Sequence, residues 1–184
     1  PRVNVNGVEF DTSFDCNGEK GKQQIEVTGE NSLGTTVLAN FPVYCSISVP
    51  SEIAFPAPSK KVLSFTQGEE EIFALMNEAR KRAALSPLIL DKELSDVARK
   101  HSLEMRRLGK VAHVLPLTGD ASDRVKKAGI NYAIVLENVA RAYSSQEVHD
   151  GFMNSPGHRA NILAAEVDRV GIGVALGEKV GDGH

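Results

Sequence analysis

The sequence predicts an α+β protein in which a small all-β unit precedes a larger, mainly helical domain. Three observations carry this reading. Apolar residues alternate through the first fifty-odd positions, at Val3, Val5, Val8 and Phe10, then Ile25 and Val27, then Val37 to Tyr44, then Ile47 and Val49. After Phe55-Pro56-Ala57-Pro58 the spacing becomes helical, with Ile72, Leu75, Met76, Ala79 and Ala83 on one stripe. The helical region is then broken at Asn154-Ser155-Pro156-Gly157-His158-Arg159, where Pro-Gly forces a turn behind which a histidine and an arginine follow directly. The expected division is a β unit over residues 1–57, a linker over 58–66 and the second domain over 67–184.

Composition narrows the function classes. The 184 residues are 41% apolar and 24% charged, ordinary for a folded protein with a real core. Aromatics make up 5% with no tryptophan, which weighs against a carbohydrate-stacking groove or a base-stacking platform. A net charge of −3 gives no electrostatic footprint for nucleic acid. No stretch is long enough to span a bilayer. The chain opens at Pro1 with neither an initiator methionine nor a signal-like run, as expected of a mature or trimmed fragment.

In the β unit, Asn6-Gly7, Asn17-Gly18 and Asn31-Ser32-Leu33-Gly34 are turn signals between or within the alternating runs, and a partial sandwich is expected. Cys16 and Cys45 form either one disulfide or two buried thiols. The disulfide is the expectation, because a unit this small gains from a staple and closing such a loop contributes roughly 3–4 kcal/mol. It implies an oxidising compartment.

In the second domain the first helix is expected over Glu69–Ala84, with Glu69, Glu70 and Glu71 at its positive end and Ser86-Pro87 ending it. Asp91 caps a second helix through Leu108, closed by Gly109. His101 lies on its apolar stripe and reads as a hydrogen-bonded histidine at the edge of the core. A loop over 110–120 carries His113, and a short helix over Ala121–Ala128 ends at Gly129. Ser144 or Ser145 caps a helix over Gln146–Asn154, with Glu147 placed for a capping box if Ser144 is the cap. After the Pro156-Gly157 turn, Ala160–Ala165 is expected to be helical, and Val170–Leu176 reads as a buried strand whose glycines permit close packing.

Glu137 sits between Val135-Leu136 and Val139-Ala140. A carboxylate in such a run costs several kcal/mol to bury unpaired, so it needs a partner among His113, His158 and Arg159, or it pins its loop through backbone amides. A glutamate beside a histidine can orient the ring as a general base or a metal ligand. Arg159 holds an anion or stitches its turn to a carboxylate. No nucleophile elbow, HExxH, phosphate loop or EF-hand is present.

These segments together resemble the CAP superfamily, which groups cysteine-rich secretory proteins, antigen 5 and pathogenesis-related class 1 proteins, and particularly its bacterial members. The matching pieces occur in order: Met76-Asn77-Glu78-Ala79-Arg80, Pro87-Leu88, Leu94 to Met105, Ala112-His113, Asp123-Arg124, Glu137-Asn138-Val139-Ala140, Met153 to Ile162, and Val170 to Ala175. The resemblance covers residues from about 69 to 176 and leaves out the β unit. It implies an α-β-α sandwich with a small antiparallel sheet between helices, and a cleft where His113, Glu137 and His158 meet.

The resemblance further implies a divalent metal, zinc or another, held through His113 and His158. It also implies a role in binding an extracellular lipid, glycan or protein, at an extracellular, cell-surface or periplasmic location. The alternatives are a metal-dependent hydrolase using His113, Glu137 and His158 as catalytic residues, and an envelope protein with a non-functional cleft that binds through its surface. Two departures stand out. Where animal and plant relatives carry a second cleft glutamate this chain has Ser155, and the sheet's last strand does not appear before His184, so it is missing or supplied from elsewhere.

Overall fold

The computed structural model describes residues 13–51 and 64–177. The expected run from Val3 to Phe10 with its Asn6-Gly7 turn, the linker up to residue 63, and residues 178–184 lie outside them. Cys16 and Cys45 are joined in a disulfide, as expected. Between them β1 (Gly21–Asn31) and β2 (Gly34–Cys45) form one antiparallel hairpin. Asn31 Oδ1 accepts the Leu33 N–H at 2.8 Å and Gly34 takes φ +98°, so the turn forms where the sequence marks it. Asn17 and Gly18 are both left-handed, and the Glu19 N–H reaches the Cys16 carbonyl at 2.9 Å. Ile47 and Val49 are in no strand, since β2 ends at Cys45 and Ser46 turns left-handed with φ 54°. The β unit is therefore, among the described residues, a single hairpin.

The pairing register decides which hairpin face does what. Ile25 lies opposite Phe41 and Val27 opposite Ala39, whereas Glu26 lies opposite Asn40 and Gln24 opposite Pro42. The hairpin thus has an apolar face and a polar one. Phe41 and Leu38 of the apolar side are exposed. The polar side faces the rest of the chain: Asn40 Nδ2 donates to the Asn154 carbonyl at 3.1 Å, and Glu26 reaches Ser155 and Gly157.

The helical domain contains α1 (Phe65–Arg82), β3 (Ile89–Leu90), α2 (Lys92–Leu108), α3 (Ala121–Lys127), α4 (Ser145–Asn154), α5 (Pro156–Ile162) and β4 (Arg169–Val170). α1 begins four residues earlier than expected, because Ser64 Oγ accepts the Gln67 N–H at 3.1 Å and caps it. The three glutamates consequently fall in its second turn, and Glu69 is buried against Arg99 instead of facing the helix's positive end. Asp91, Gly109 and Ser144 cap as the sequence indicates. Pro156 is the first residue of α5 and not part of a turn before it. Its missing N–H costs nothing at that position, and Ser155 is the cap.

β3 and β4 pair in parallel over two residues. The rest of the expected strand, residues 171–176, runs without a strand partner among the described residues. Its backbone is satisfied by helix side chains instead. The Ile172 N–H reaches Ser95 Oγ at 3.2 Å, the Gly173 carbonyl accepts from Ser102 Oγ at 2.7 Å, and the Val174 N–H reaches Glu69 Oε1 at 3.1 Å. A Cβ at Gly173 would lie 2.1 Å from the Arg99 nitrogen, so glycine permits this seating on α2. Arg80, 2% exposed, ties α1 to the segment after α5 by donating to the carbonyls of Ser86, Ile162, Ala164 and Val167. Ile72, Ala79, Phe152, Ile162 and Ile172 are among the buried core residues. The architecture is α+β.

Candidate functional site

His113 is held by a loop that α2 organises. Glu104, buried on α2, accepts the backbone N–H groups of Leu117 and Thr118 at 2.9 Å each. His101, one turn earlier, bonds the Ala112 carbonyl at 2.9 Å and Thr118 Oγ1 at 2.8 Å. The expectation that His101 is structural holds. Burial, reinforced by the nearby Arg124 cation, keeps its imidazole below the ordinary pKa.

Glu137 finds its partners, but only one of the three expected. His113 Nδ1 lies 2.7 Å from its Oε2, and Arg124 donates from Nη2 to its Oε1. Arg124, whose side chain is 5% exposed, also donates to the carbonyls of His113 and Gly119 at 3.0 and 2.6 Å. It fixes both the carboxylate and the loop of the histidine that the carboxylate orients. Neither His158 nor Arg159 hydrogen-bonds the Glu137 carboxylate; Arg159 donates to the Met153 carbonyl at 3.0 Å, stitching its turn to backbone. The Glu137 backbone is tied to α5, since Asn161 Nδ2 donates to its carbonyl at 3.1 Å. Asn138 in turn donates to the His158 carbonyl at 3.0 Å.

His158 lies in the first turn of α5, its ring 5.1 Å from that of Phe152. Its Nδ1 is 2.7 Å from Ser155 Oγ, and Ser155 Oγ is hydrogen-bonded to Glu26 Oε2 of the hairpin. Burial pushes its imidazole below the ordinary pKa, against the upward pull of Glu26 and with a further downward push from His113.

The hydrogen-bond pattern assigns both tautomers. A carboxylate can only accept, so His113 donates from Nδ1 to Glu137. The single Ser155 hydroxyl proton goes to Glu26, so the serine oxygen accepts from His158 Nδ1. In its neutral form each ring then carries the lone pair on Nε2, and neither Nε2 has a hydrogen-bond partner among the described residues. That is the form in which imidazole binds a metal or takes a proton. Among the described residues no group of three or more histidine, cysteine or acidic side chains is arranged to hold a metal ion. Imidazole nitrogens are donor types that a borderline divalent ion accepts, and two of them are fewer than a closed site needs.

Arg124, Ser155 and Glu26 are the site residues that sequence reasoning did not assign. Arg124 stands in one of the motifs of the resemblance, and Ser155 stands where animal and plant relatives carry a second cleft glutamate. Nothing local marks Glu26, which meets Ser155 across 129 residues of chain.

Residues 73–182 match the family model described as "CAP: Cysteine-rich secretory protein family". The uncharacterized protein YkwD of Bacillus subtilis is 36% identical over 106 residues, 57% of this chain and 41% of that protein. The uncharacterized membrane protein YlbC of the same organism is 30% identical over 110 residues, 59% of this chain and 32% of that protein. This chain spans less than half the length of either relative. Among solved structures, an extracellular protein containing an SCP domain from Bacillus anthracis aligns with TM-score 0.59 and 30% identity, over 60% of this chain and 38% of that one. An outer surface protein of Borrelia burgdorferi aligns with TM-score 0.55 and 20% identity, over 61% and 83% of the two chains. A cysteine-rich secretory protein of Staphylococcus aureus aligns with TM-score 0.53 and 17% identity, over 96% and 63%. The last two show likeness of fold alone. No helix among the described residues is long and apolar enough to cross a membrane.

Proposed function

The chain belongs to the cysteine-rich secretory protein family, CAP, and from that premise we propose that it is a binding module acting outside the cytoplasm, secreted, at the cell surface or in the periplasm. Its cleft is built on His113, Glu137 and His158 and takes a divalent metal through His113 and His158. The observation that carries this reading is the pair of imidazoles with Nδ1 engaged and Nε2 lone pairs available. The disulfide suits an oxidising compartment, and so does the extracellular description of the Bacillus anthracis neighbour.

A metal there would supply a Lewis-acidic point for an anionic or carbonyl group of a lipid, glycan or protein ligand. Glu137 orients His113, and Arg124 holds Glu137. Both carboxylate oxygens are already accepting, which favours binding over a hydrolase that would use Glu137 as base.

The test is calorimetric titration of the metal-stripped protein with Zn²⁺ at pH 7.5 and 5.5, beside the His113→Ala/His158→Ala double variant. Modest binding at the higher pH that weakens as the imidazoles protonate and vanishes in the variant is expected. Equal binding by the variant would sink the assignment.

A further inference from the structure

The hairpin touches both histidine-bearing segments. At its turn, the Val114 N–H donates to the Leu33 carbonyl at 2.9 Å, and a Cβ on Gly34 would sit 2.8 Å from His113 Cβ. In mid-strand, Asn40 and Glu26 grip the Asn154–Gly157 segment that leads into His158. These contacts come from the turn and the polar face; on the apolar face Phe41 and Leu38 are exposed and Ile25, Val27 and Val43 half-buried.

We propose that the β1–β2 hairpin is a working part of the cleft, in which Glu26 acts through Ser155 as the positioning residue for His158. Glu26 Oε1 accepts the Gly157 N–H at 3.3 Å while Oε2 accepts the Ser155 hydroxyl. With its proton committed to Glu26, Ser155 Oγ can only accept from His158 Nδ1. The lone pair is thereby kept on Nε2. The two histidines then carry equivalent supports: Glu137 directly on His113, and Glu26 through one hydroxyl on His158. The first is supplied by the helical domain and the second by the hairpin. Without Glu26 the Ser155 hydroxyl is free to donate to Nδ1, which moves the proton on His158 to Nε2 and closes that atom to a metal or an incoming proton.

This role concerns the metal-free protein and stands apart from the metal reading. The experiment is ¹⁵N-resolved NMR of the imidazoles in the full chain at pH 7.5 without metal, for wild type, Glu26→Ala and Glu26→Met. Methionine fills the space of the glutamate side chain and offers no strong acceptor. The Val114 amide resonance reports whether the hairpin turn stays seated. We expect His158 to be mainly Nδ1–H in wild type and mainly Nε2–H in both variants, with His113 unchanged. If Glu26→Ala also displaces Val114, Glu26→Met decides. A wild type already in the Nε2–H form, or variants that keep the wild-type tautomer with Val114 in place, overturns the proposal. Zinc titration of the same samples should show about a 10-fold loss of affinity in the variants, the usual cost of removing an outer-shell partner. Should wild type bind no zinc, the metal reading falls and the tautomers still judge Glu26.

Discussion

His113 Nδ1 and Glu137 Oε2 stand 2.7 Å apart, and the other oxygen of the same carboxylate belongs to Arg124. One glutamate thus serves as both the orienter of a histidine and the counter-charge of a nearly buried arginine. Glu137→Ala leaves that guanidinium facing protein carbonyls with no anion, which is costlier than losing the pair together. Glu137 is one-fifth exposed, so water offsets part of the penalty. The expected loss is about 2–3 kcal/mol, read as a lower urea midpoint at unchanged m-value. A loss below about 0.5 kcal/mol would place the arginine's compensation elsewhere.

Gly173→Ala tests how the run at 171–177 is seated. The added methyl would meet the backbone of Ala98 and Arg99 at 2.1–2.5 Å, and α2 cannot yield there without moving as a rod. Destabilisation of about 3 kcal/mol is expected by thermal unfolding. Gly177→Ala, where a Cβ meets nothing within 4 Å, should leave the midpoint unchanged.

What the sequence revealed and what it hid separate along a physical line. Asp91, Gly109 and Ser144 announce helix ends because a cap bonds to residues two or three positions away. The Asn31–Gly34 turn is equally local. Glu69 misled because three successive acids resemble a helix start, whereas Ser64 set the start and Arg99, 30 residues away, took the first acid. The run from Val170 looked like a strand because apolar residues and glycines fit one, but its ladder partners are the side chains of Glu69, Ser95 and Ser102. The site divides in the same way. The His113–Glu137 pairing was legible through family motifs, while Glu26 was not, since only the docking of the hairpin gives it a neighbour.

Two buried histidines contribute, with His158, to the acid limb of the stability curve. Burial holds His101 and His149 below the ordinary value of 6.5, so both are neutral in the native state where the unfolded chain would bind protons. The unfolded state therefore binds more protons below about pH 6.5, and stability falls as pH drops through that value toward the lower native pKa values. Their stabilising contribution is complete above pH 6.5. His149 is pulled up by Asp150 and pushed down by Arg82, and its Nδ1 has no protein partner among the described residues. His149→Leu should thus cost little at pH 7.5 and flatten the decline between pH 6.5 and 5. Urea midpoints at three pH values check both points; an undiminished slope in the variant would show that His149 titrates normally.

The disulfide should matter to the cleft as well as to the hairpin. Cys45 pairs with Gly21 at the open end of β1–β2, and its bond to Cys16 closes the chain there. An isolated two-stranded hairpin is marginal in water, and losing a staple of this loop length removes about 3–4 kcal/mol of constraint on the unfolded chain. The bonds that seat the hairpin run from the Val114 and Gly157 amides to Leu33 and Glu26. Reduction, or a Cys16→Ser/Cys45→Ser pair, should therefore speed hydrogen exchange at Val114 and Gly157 while the amides in the middle of α2 keep their protection. Equal acceleration in α2 would mean that the hairpin and the helical domain unfold as one unit, and no change at Val114 would mean that the seated hairpin does not need its staple.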